Sequence, residues 1–136
     1  MAFDIGKAKV MVIEDEPFIR TLIRRLLKQL GVEDVYEAEE GGAGLKEVVR
    51  IRPHLIFCDI HMEPVNGLAF LQKLRALPLA DVKSIPVVFL TADSQEETVL
   101  MAKSLAVNGY LVKPVSPAAL QARMQAILVD KGSPSR

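Results

Sequence analysis

The chain has 136 residues, no tryptophan, one cysteine and no excess charge of either sign. A lone cysteine, Cys58, excludes an intramolecular disulfide, and its place inside an apolar run predicts a buried structural thiol in a reducing compartment. Because 17 Lys and Arg balance 17 Asp and Glu, no cationic field is available to hold nucleic acid. No apolar run is long enough to span a membrane, and the N-terminus lacks the apolar core of a signal peptide. We therefore expect a cytoplasmic protein that binds neither nucleic acid nor membrane.

Half of the residues are hydrophobic, and short apolar runs alternate with stretches of helical periodicity. The predicted strands are 9–13, 34–38, 55–58, 85–90 and 110–112, and the predicted helices are 17–30, 41–51, 68–77, 94–105 and 117–128. Ser94 and Glu97 form a capping box at the start of the fourth helix, whereas three glycines weaken the second. Five alternating strands and helices predict a single α/β domain, a doubly wound parallel sheet covered on both faces.

Polar side chains follow four of these strands, at the point where each strand ends. Glu14 and Asp15 follow the first strand, Asp59 the third, Thr91 the fourth and Lys113 the fifth. Right-handed crossovers make the strands parallel, so their carboxyl ends line one edge of the sheet, where open parallel sheets bind ligands. We expect these five side chains to converge there, with the end of the second strand outside the cluster.

The expected cluster suits phosphoryl transfer. Three carboxylates in one pocket repel one another unless a cation lies among them, and Mg²⁺ typically takes one or two protein carboxylates together with phosphate oxygens and waters. Lys113 can hold an anionic oxygen, and Thr91 can donate a hydrogen bond to it. Asp59 would then be the nucleophile and become an aspartyl-phosphate. Each residue alone has an ordinary structural explanation, so the prediction depends on their joint appearance.

With these residues the chain resembles the receiver domains of bacterial two-component response regulators. The matching motifs are Val-Ile-Glu-Asp-Glu at 12–16, Leu-Thr-Ala at 90–92, Gly-Tyr-Leu-Val-Lys-Pro at 109–114, and Asp59 followed by Met62 and Gly67. The resemblance covers nearly the whole chain. It implies a flavodoxin-like fold with strand order 2-1-3-4-5, a receiver domain over 1–130 and a short polar tail over 131–136.

The resemblance also implies roles for the acidic residues. Asp59 would accept a phosphoryl group from a phosphohistidine on a histidine kinase or a phosphotransfer protein. Asp15 and Asp59 would bind Mg²⁺ directly, together with the backbone carbonyl of His61, and Glu14 would act largely through water. Such a domain assists its own phosphorylation and dephosphorylation but is a signalling switch rather than an enzyme.

The resemblance further implies how the switch is read. Thr91 and Lys113 would hold the phosphoryl oxygens, and Tyr110 would turn inward on activation. The readout face would be the fourth helix, fifth strand and fifth helix, which would contact a downstream protein target. No output domain follows in the chain, so we expect a stand-alone receiver, a monomer or weak dimer.

Two positions depart from the family pattern, and three other functions compete. Glu63 stands where the family usually has proline, with Pro64 next, and His61 is placed to help or block a water that attacks the phosphoryl group.

An aspartyl-phosphate phosphatase of the haloacid dehalogenase type needs a second aspartate where His61 stands. A flavodoxin needs a phosphate loop where three acidic residues follow the first strand, and a pseudo-receiver would have no use for the intact acidic set.

Overall fold

The computed structural model describes residues 4–92 and 107–130. Five parallel strands form one sheet in the order β2-β1-β3-β4-β5, as predicted. The strands are β1 Lys9–Ile13, β2 Asp34–Ala38, β3 Leu55–Asp59, β4 Val87–Thr91 and β5 Gly109–Val112. The α-helices are α1 Pro17–Gln29, α2 Gly41–Ile51, α3 Gly67–Arg75, α4 Ala80–Lys83 and α5 Pro117–Met124, with a 3₁₀ turn at Ile5–Lys7 and a π-helical stretch at Gln125–Asp130.

Two hydrophobic cores cover the two faces of the sheet. In β3, Leu55 and Phe57 pack into a core with residues of α1 and α5, whereas Ile56 and Cys58 pack into a core with residues of α2 and α3. All five residues of β3 are buried. A strand covered on both faces has no solvent side, and this explains why its sequence shows no polar alternation.

Two glycines allow helix α2 to pack closely against strand β1 and against the loop after β3. A Cβ at Gly44 would lie 2.5 Å from Ile13 Cδ1, and one at Gly41 would lie 2.7 Å from the carbonyl oxygen of Val65. Both glycines are buried, so the helix packs at a distance that larger residues cannot reach. Two of the three glycines that weaken α2 as an isolated helix, Gly41 and Gly44, are therefore required by its packing.

The structure corrects several predicted boundaries. Helix α3 ends at Arg75 rather than near 77, and the unpredicted helix α4 follows, held by its buried Val82. The Arg75 guanidinium donates hydrogen bonds to the carbonyls of Lys83 and Ile85. Strand β4 begins at Val87, two residues later than predicted. The last helix continues beyond Met124 with π geometry.

The predicted helix 94–105, with its capping box at Ser94 and Glu97, and the polar tail lie outside the described residues. None of the helices within the described ranges is long and apolar enough to cross a bilayer.

Candidate functional site

Three carboxylates meet at the carboxyl edge of the sheet, as the sequence predicts. Strands β1 and β3 are neighbours, with Ile13 beside Cys58, so the residues that follow them are brought together. Glu14, Asp15 and Asp59 each offer an oxygen atom within 4.8 Å of the other two. Glu14 and Asp59 are buried, whereas Asp15 is exposed at the mouth of the site.

Lys113 reaches this cluster from the end of β5. Its Nζ lies 2.6 Å from Glu14 Oε1 and 3.5 Å from Asp59 Oδ2. Its backbone N–H donates a 2.7 Å hydrogen bond to the carbonyl of Thr91, the buried last residue of β4. Burial acts to lower the pKa of Lys113, but the hydrogen bond to Glu14 and the charges of Asp59 and Glu14 outweigh it, so the pKa is raised and the ammonium is retained.

Every polar group of Glu14 has a partner. Its N–H donates to the carbonyl of Ala38 at 3.0 Å, and its carbonyl accepts from Arg20 Nη1 at 2.7 Å. Its Oε1 accepts from Lys113, and its Oε2 accepts from the backbone N–H of Glu16 at 3.2 Å. The sequence predicts Glu14 and Lys113 at the same edge but not that they pair, and it indicates no role for Arg20.

The donor set fits a hard divalent cation. Desolvation, a hydrogen bond with the Glu14 carboxylate and the charge of Glu14 raise the pKa of Asp15, against the lowering by its own backbone N–H and by Lys113. Desolvation and the neighbouring Glu14 carboxylate therefore disfavour a charge on Asp15 even with the lysine present. Oxygen ligands and excess negative charge are what Mg²⁺ requires, so Glu14, Asp15 and Asp59 suit that ion.

The loop after β3 forms one wall of an open cleft beside the acidic cluster. The cleft has a volume of about 570 Å³ and is lined by Asp15, His61, Met62, Glu63, Pro64 and Asn66. Met62 is buried and anchors the loop, whereas His61 and Glu63 are exposed. The side chain of His61 therefore lies at the cleft wall, near the cluster and open to water.

Gly67 closes this loop against the backbone of Asp59. Its N–H donates to the carbonyl of Ile60 at 2.8 Å, and Asn66 Oδ1 caps helix α3 by accepting from the N–H of Ala69 at 2.8 Å. A Cβ on Gly67 would lie only 2.4 Å from the carbonyl oxygen of Asp59. The predicted turn at Asn66 and Gly67 is thus also the packing point between α3 and the end of β3.

Two further residues singled out in the sequence have clear locations. Tyr110 lies on β5 beside Phe89 and is 36% exposed. Cys58 is fully buried, and burial together with the charges of Asp59 and Glu14 raises the pKa of its thiol well above the ordinary value. The prediction of a buried structural thiol is confirmed.

The doubly wound sheet and its acidic pocket define a receiver-type α/β domain, and comparison with known proteins agrees. A family model described as response regulator receiver domain matches residues 10–125. Chemotaxis protein CheY1 of Helicobacter pylori is 31% identical over 121 residues, which cover 88% of this chain and 96% of that protein. The probable transcriptional regulator ycf27 of Porphyridium aerugineum is 34% identical over 129 residues, which cover 93% of this chain and 51% of that protein.

Solved structures show the same likeness. Vibrio cholerae chemotaxis protein CheY4 has a TM-score of 0.82 at 28% identity, covering 89% of this chain and 98% of that one. A putative response regulator from Chloroflexus aurantiacus has the same TM-score at 24% identity, covering 89% of this chain and 97% of that one, and shows the shared fold. This chain belongs to the response regulator receiver domain family.

Proposed function

We propose that this protein is a signalling switch in which Asp59 accepts a phosphoryl group from a phosphohistidine of a histidine kinase or phosphotransfer protein. One observation supports the choice of Asp59 above all. It ends the central strand β3 within 4.8 Å of two other carboxylates and 3.5 Å from the Lys113 ammonium. An acceptor needs this combination of a cation site and a fixed positive charge.

The transfer itself is a displacement at phosphorus. An Asp59 carboxylate oxygen forms the new O–P bond while the N–P bond of the phosphohistidine breaks, and its electron pair returns to the imidazole nitrogen. Lys113 stays protonated and holds a phosphoryl oxygen, and the Thr91 hydroxyl donates a hydrogen bond to another. Glu14, Asp15, Asp59 and the His61 carbonyl would hold Mg²⁺, which when bound neutralises charge on the phosphoryl oxygens.

Loss of the phosphoryl group would depend on the cleft wall. The exposed His61 lies on the cleft that Asp15 also lines, and water must cross this space to reach phosphorus. We therefore assign the His61 side chain an influence on phosphoryl lifetime. The chain would assist both its phosphorylation and its dephosphorylation without acting as an enzyme on other molecules.

The phosphoryl group would change the surface through Thr91 and Tyr110. Phosphorylation adds roughly −1.5 to −2 charge and three acceptor oxygens. Movement of the buried Thr91 toward those oxygens would vacate space into which the half-exposed Tyr110 can turn. Closely packed interiors favour two discrete arrangements over a gradual drift, so the change can act as a switch. The output face would comprise β5, α5 and the predicted helix 94–105, contacting a downstream protein.

Incubation with Mg²⁺ and acetyl phosphate, followed by intact-mass measurement, tests this function. The wild-type protein should gain a single phosphoryl group, Asp59→Asn should gain none, and Asp81→Asn, which removes an exposed carboxylate elsewhere, should behave as wild type. A wild-type protein that stays unmodified would contradict the proposal. Steady release of phosphate from small esters would instead support a phosphatase, and a yellow protein with bound flavin a flavodoxin.

A further inference from the structure

Arg20 places a positive charge where the fold disfavours one, so its side chain needs specific stabilising contacts. It lies in the first turn of α1, where the helix dipole disfavours a positive charge. Its side chain is nonetheless largely covered, with an exposed fraction of 14%. A cation held there and partly removed from water needs compensating contacts. These are the carboxylate of Glu37 on β2 and the backbone carbonyl of Glu14, which belongs to the acidic cluster.

The guanidinium of Arg20 joins three elements of the fold. Its Nη1 donates a 2.7 Å hydrogen bond to the carbonyl of Glu14, directly after β1. Its Nε lies 3.1 Å from Oε1 of Glu37, which pairs with Val12 across β1 and β2. The planar guanidinium is thus anchored to Glu37 through Nε, and its Nη1 holds the carbonyl of Glu14 at the end of β1.

The carbonyl that Arg20 holds belongs to the peptide group between Glu14 and Asp15. Fixing the plane of this peptide fixes the direction in which the chain enters Asp15. Asp15 is exposed, whereas Glu14 and Asp59 are buried. The carboxylate of Asp15 is therefore the member of the cluster whose placement depends most on its backbone.

We infer that Arg20 is a positioning residue for the cation site: by holding the Glu14 carbonyl it orients Asp15 toward a divalent ion. The inference rests on the proposed function for the ion that the cluster binds. Simple electrostatics predicts the opposite effect, since removing a nearby positive charge should strengthen cation binding. Loss of the Arg20 side chain should therefore weaken Mg²⁺ binding if Arg20 positions Asp15, and strengthen it if only the charge of Arg20 matters.

The test compares Arg20→Met with Arg24→Met. Arg24 lies on the same helix, and its Nε lies 3.4 Å from Oε2 of the same Glu37, so its loss removes a charge and an ion pair but no contact to Glu14. Mg²⁺ alone is titrated into each protein, and the dissociation constant is read from backbone amide shifts in NMR spectra. Thermal unfolding of both variants in EDTA checks that their stability is matched.

We expect Arg20→Met to bind Mg²⁺ about tenfold more weakly than wild type, in the range found when groups that orient metal ligands are removed. Arg24→Met should bind as wild type. Arg20→Lys should recover part of the loss, because an ammonium can reach the carbonyl but lacks the rigid fork. In the metal-free protein, the amide shifts of Asp15 and Glu16 should move in Arg20→Met and stay in place in Arg24→Met.

Wild-type or tighter Mg²⁺ binding by Arg20→Met would overturn the inference. If that variant does not fold, Glu37→Gln weakens the anchor while leaving Arg20 in place; an intermediate loss supports the inference, and unchanged affinity overturns it. Failure of the proposed function looks different, because the wild-type protein itself would then bind no Mg²⁺ or gain no phosphoryl group. A wild type that binds Mg²⁺ and is phosphorylated, beside an unaffected Arg20→Met, rejects only the role of Arg20.

Discussion

Lys113 Nζ lies 2.6 Å from the carboxylate of Glu14 but 3.5 Å from that of Asp59. In this state the lysine is bonded mainly to the fully buried carboxylate at the end of β1. The carboxylate of Asp59, the proposed acceptor, is its more distant neighbour. A small movement of the Lys113 side chain would bring its ammonium from Glu14 to an oxygen atom on Asp59. The ion pair with Glu14 therefore keeps Lys113 close to Asp59.

This pairing predicts a large loss of stability in Lys113→Met. The substitution leaves the charge of Glu14 buried without its ammonium partner, and breaking a buried ion pair in this way costs about 3–5 kcal/mol. Adding Glu14→Gln to the same chain removes the uncompensated charge and should recover most of the loss. Urea denaturation of the wild type, both single variants and the double variant in EDTA measures the coupling. Additive effects of the two substitutions would contradict the pairing.

Asp15→Asn should stabilise the metal-free protein at neutral pH while abolishing its stabilisation by Mg²⁺. The pKa of Asp15 is raised in the folded state, so folding favours its protonated form. The penalty on folding therefore builds up as the pH rises from the ordinary pKa toward the folded-state pKa, and it is fully present above the folded-state pKa. The neutral amide removes that penalty. Below the ordinary pKa of 3.8 the two proteins should be equally stable in this respect.

Thermal unfolding with EDTA and with Mg²⁺ checks both parts of this prediction. For the wild type, free Mg²⁺ at 100 times its dissociation constant should add about 2.7 kcal/mol. The prediction is wrong if Asp15→Asn is less stable than wild type in EDTA. It is also wrong if Mg²⁺ stabilises Asp15→Asn as much as it stabilises the wild type.

Gly67→Ala should disturb both stability and phosphorylation. Its Cβ would meet the backbone of one segment, at 2.4 Å from the carbonyl oxygen of Asp59 and 2.8 Å from Cα of Ile60, and backbone cannot yield as a side chain can. We expect a loss of about 1–3 kcal/mol and slower labelling by acetyl phosphate, because the clash displaces Asp59, the proposed acceptor.

Gly42→Ala is the matched control, because the new Cβ would meet only the end of the Glu40 side chain. The Glu40 carboxylate caps α2 by accepting from the N–H groups of Gly42 and Ala43, so this variant should lose about 1 kcal/mol through the disturbed cap. It should be labelled at the wild-type rate, because the new Cβ meets no atom of Asp59. Equal behaviour of the two variants would mean that Gly67 is not a packing point.

His54 should make the protein less stable as the pH falls below about 6.5. Its Nδ1 accepts a 2.9 Å hydrogen bond from the backbone N–H of Lys9, which requires an unprotonated nitrogen. Burial and the charge of Lys9 lower the pKa of His54, so the unfolded chain binds the proton first and is favoured by acid. The stabilisation is complete above the unfolded pKa and is lost as the pH falls from there toward the folded pKa.

Urea denaturation between pH 5 and pH 8 measures this dependence. His54→Asn keeps an acceptor oxygen near the position of Nδ1 but does not titrate, so its stability should fall less over the same range. An unchanged pH profile in His54→Asn would assign the effect to other groups.

The parts of the fold that sequence could predict are those whose cause is local or repeated. Strand β3 is buried on both faces and therefore has a continuous apolar sequence, and the polar residues after successive strands meet because parallel strands share one edge. Helix α4 could not be predicted, because four residues have little helical preference of their own and depend on the buried Val82. The strand order was available only from the family resemblance.

The site also has a part that the sequence predicts and a part that depends on contacts in the folded chain. The residue types at the strand ends indicate a cation and phosphoryl chemistry, yet the choice of Glu14 over Asp59 as the partner of Lys113 depends on distances between groups 99 residues apart in the chain. Arg20 carried no signal at all, since an arginine between apolar helical positions is typical of a solvent-facing charge. Only its contacts with Glu14 and Glu37 distinguish it.

The most direct test of the account is to locate the phosphoryl group on the chain. Borohydride reduces an acyl phosphate of aspartate to homoserine, which peptide mass spectrometry can assign to a residue after labelling with acetyl phosphate and Mg²⁺. We expect homoserine at position 59, and none there when Mg²⁺ is replaced by EDTA. Homoserine at another aspartate, or a phosphoryl group on a histidine or serine instead, would contradict it.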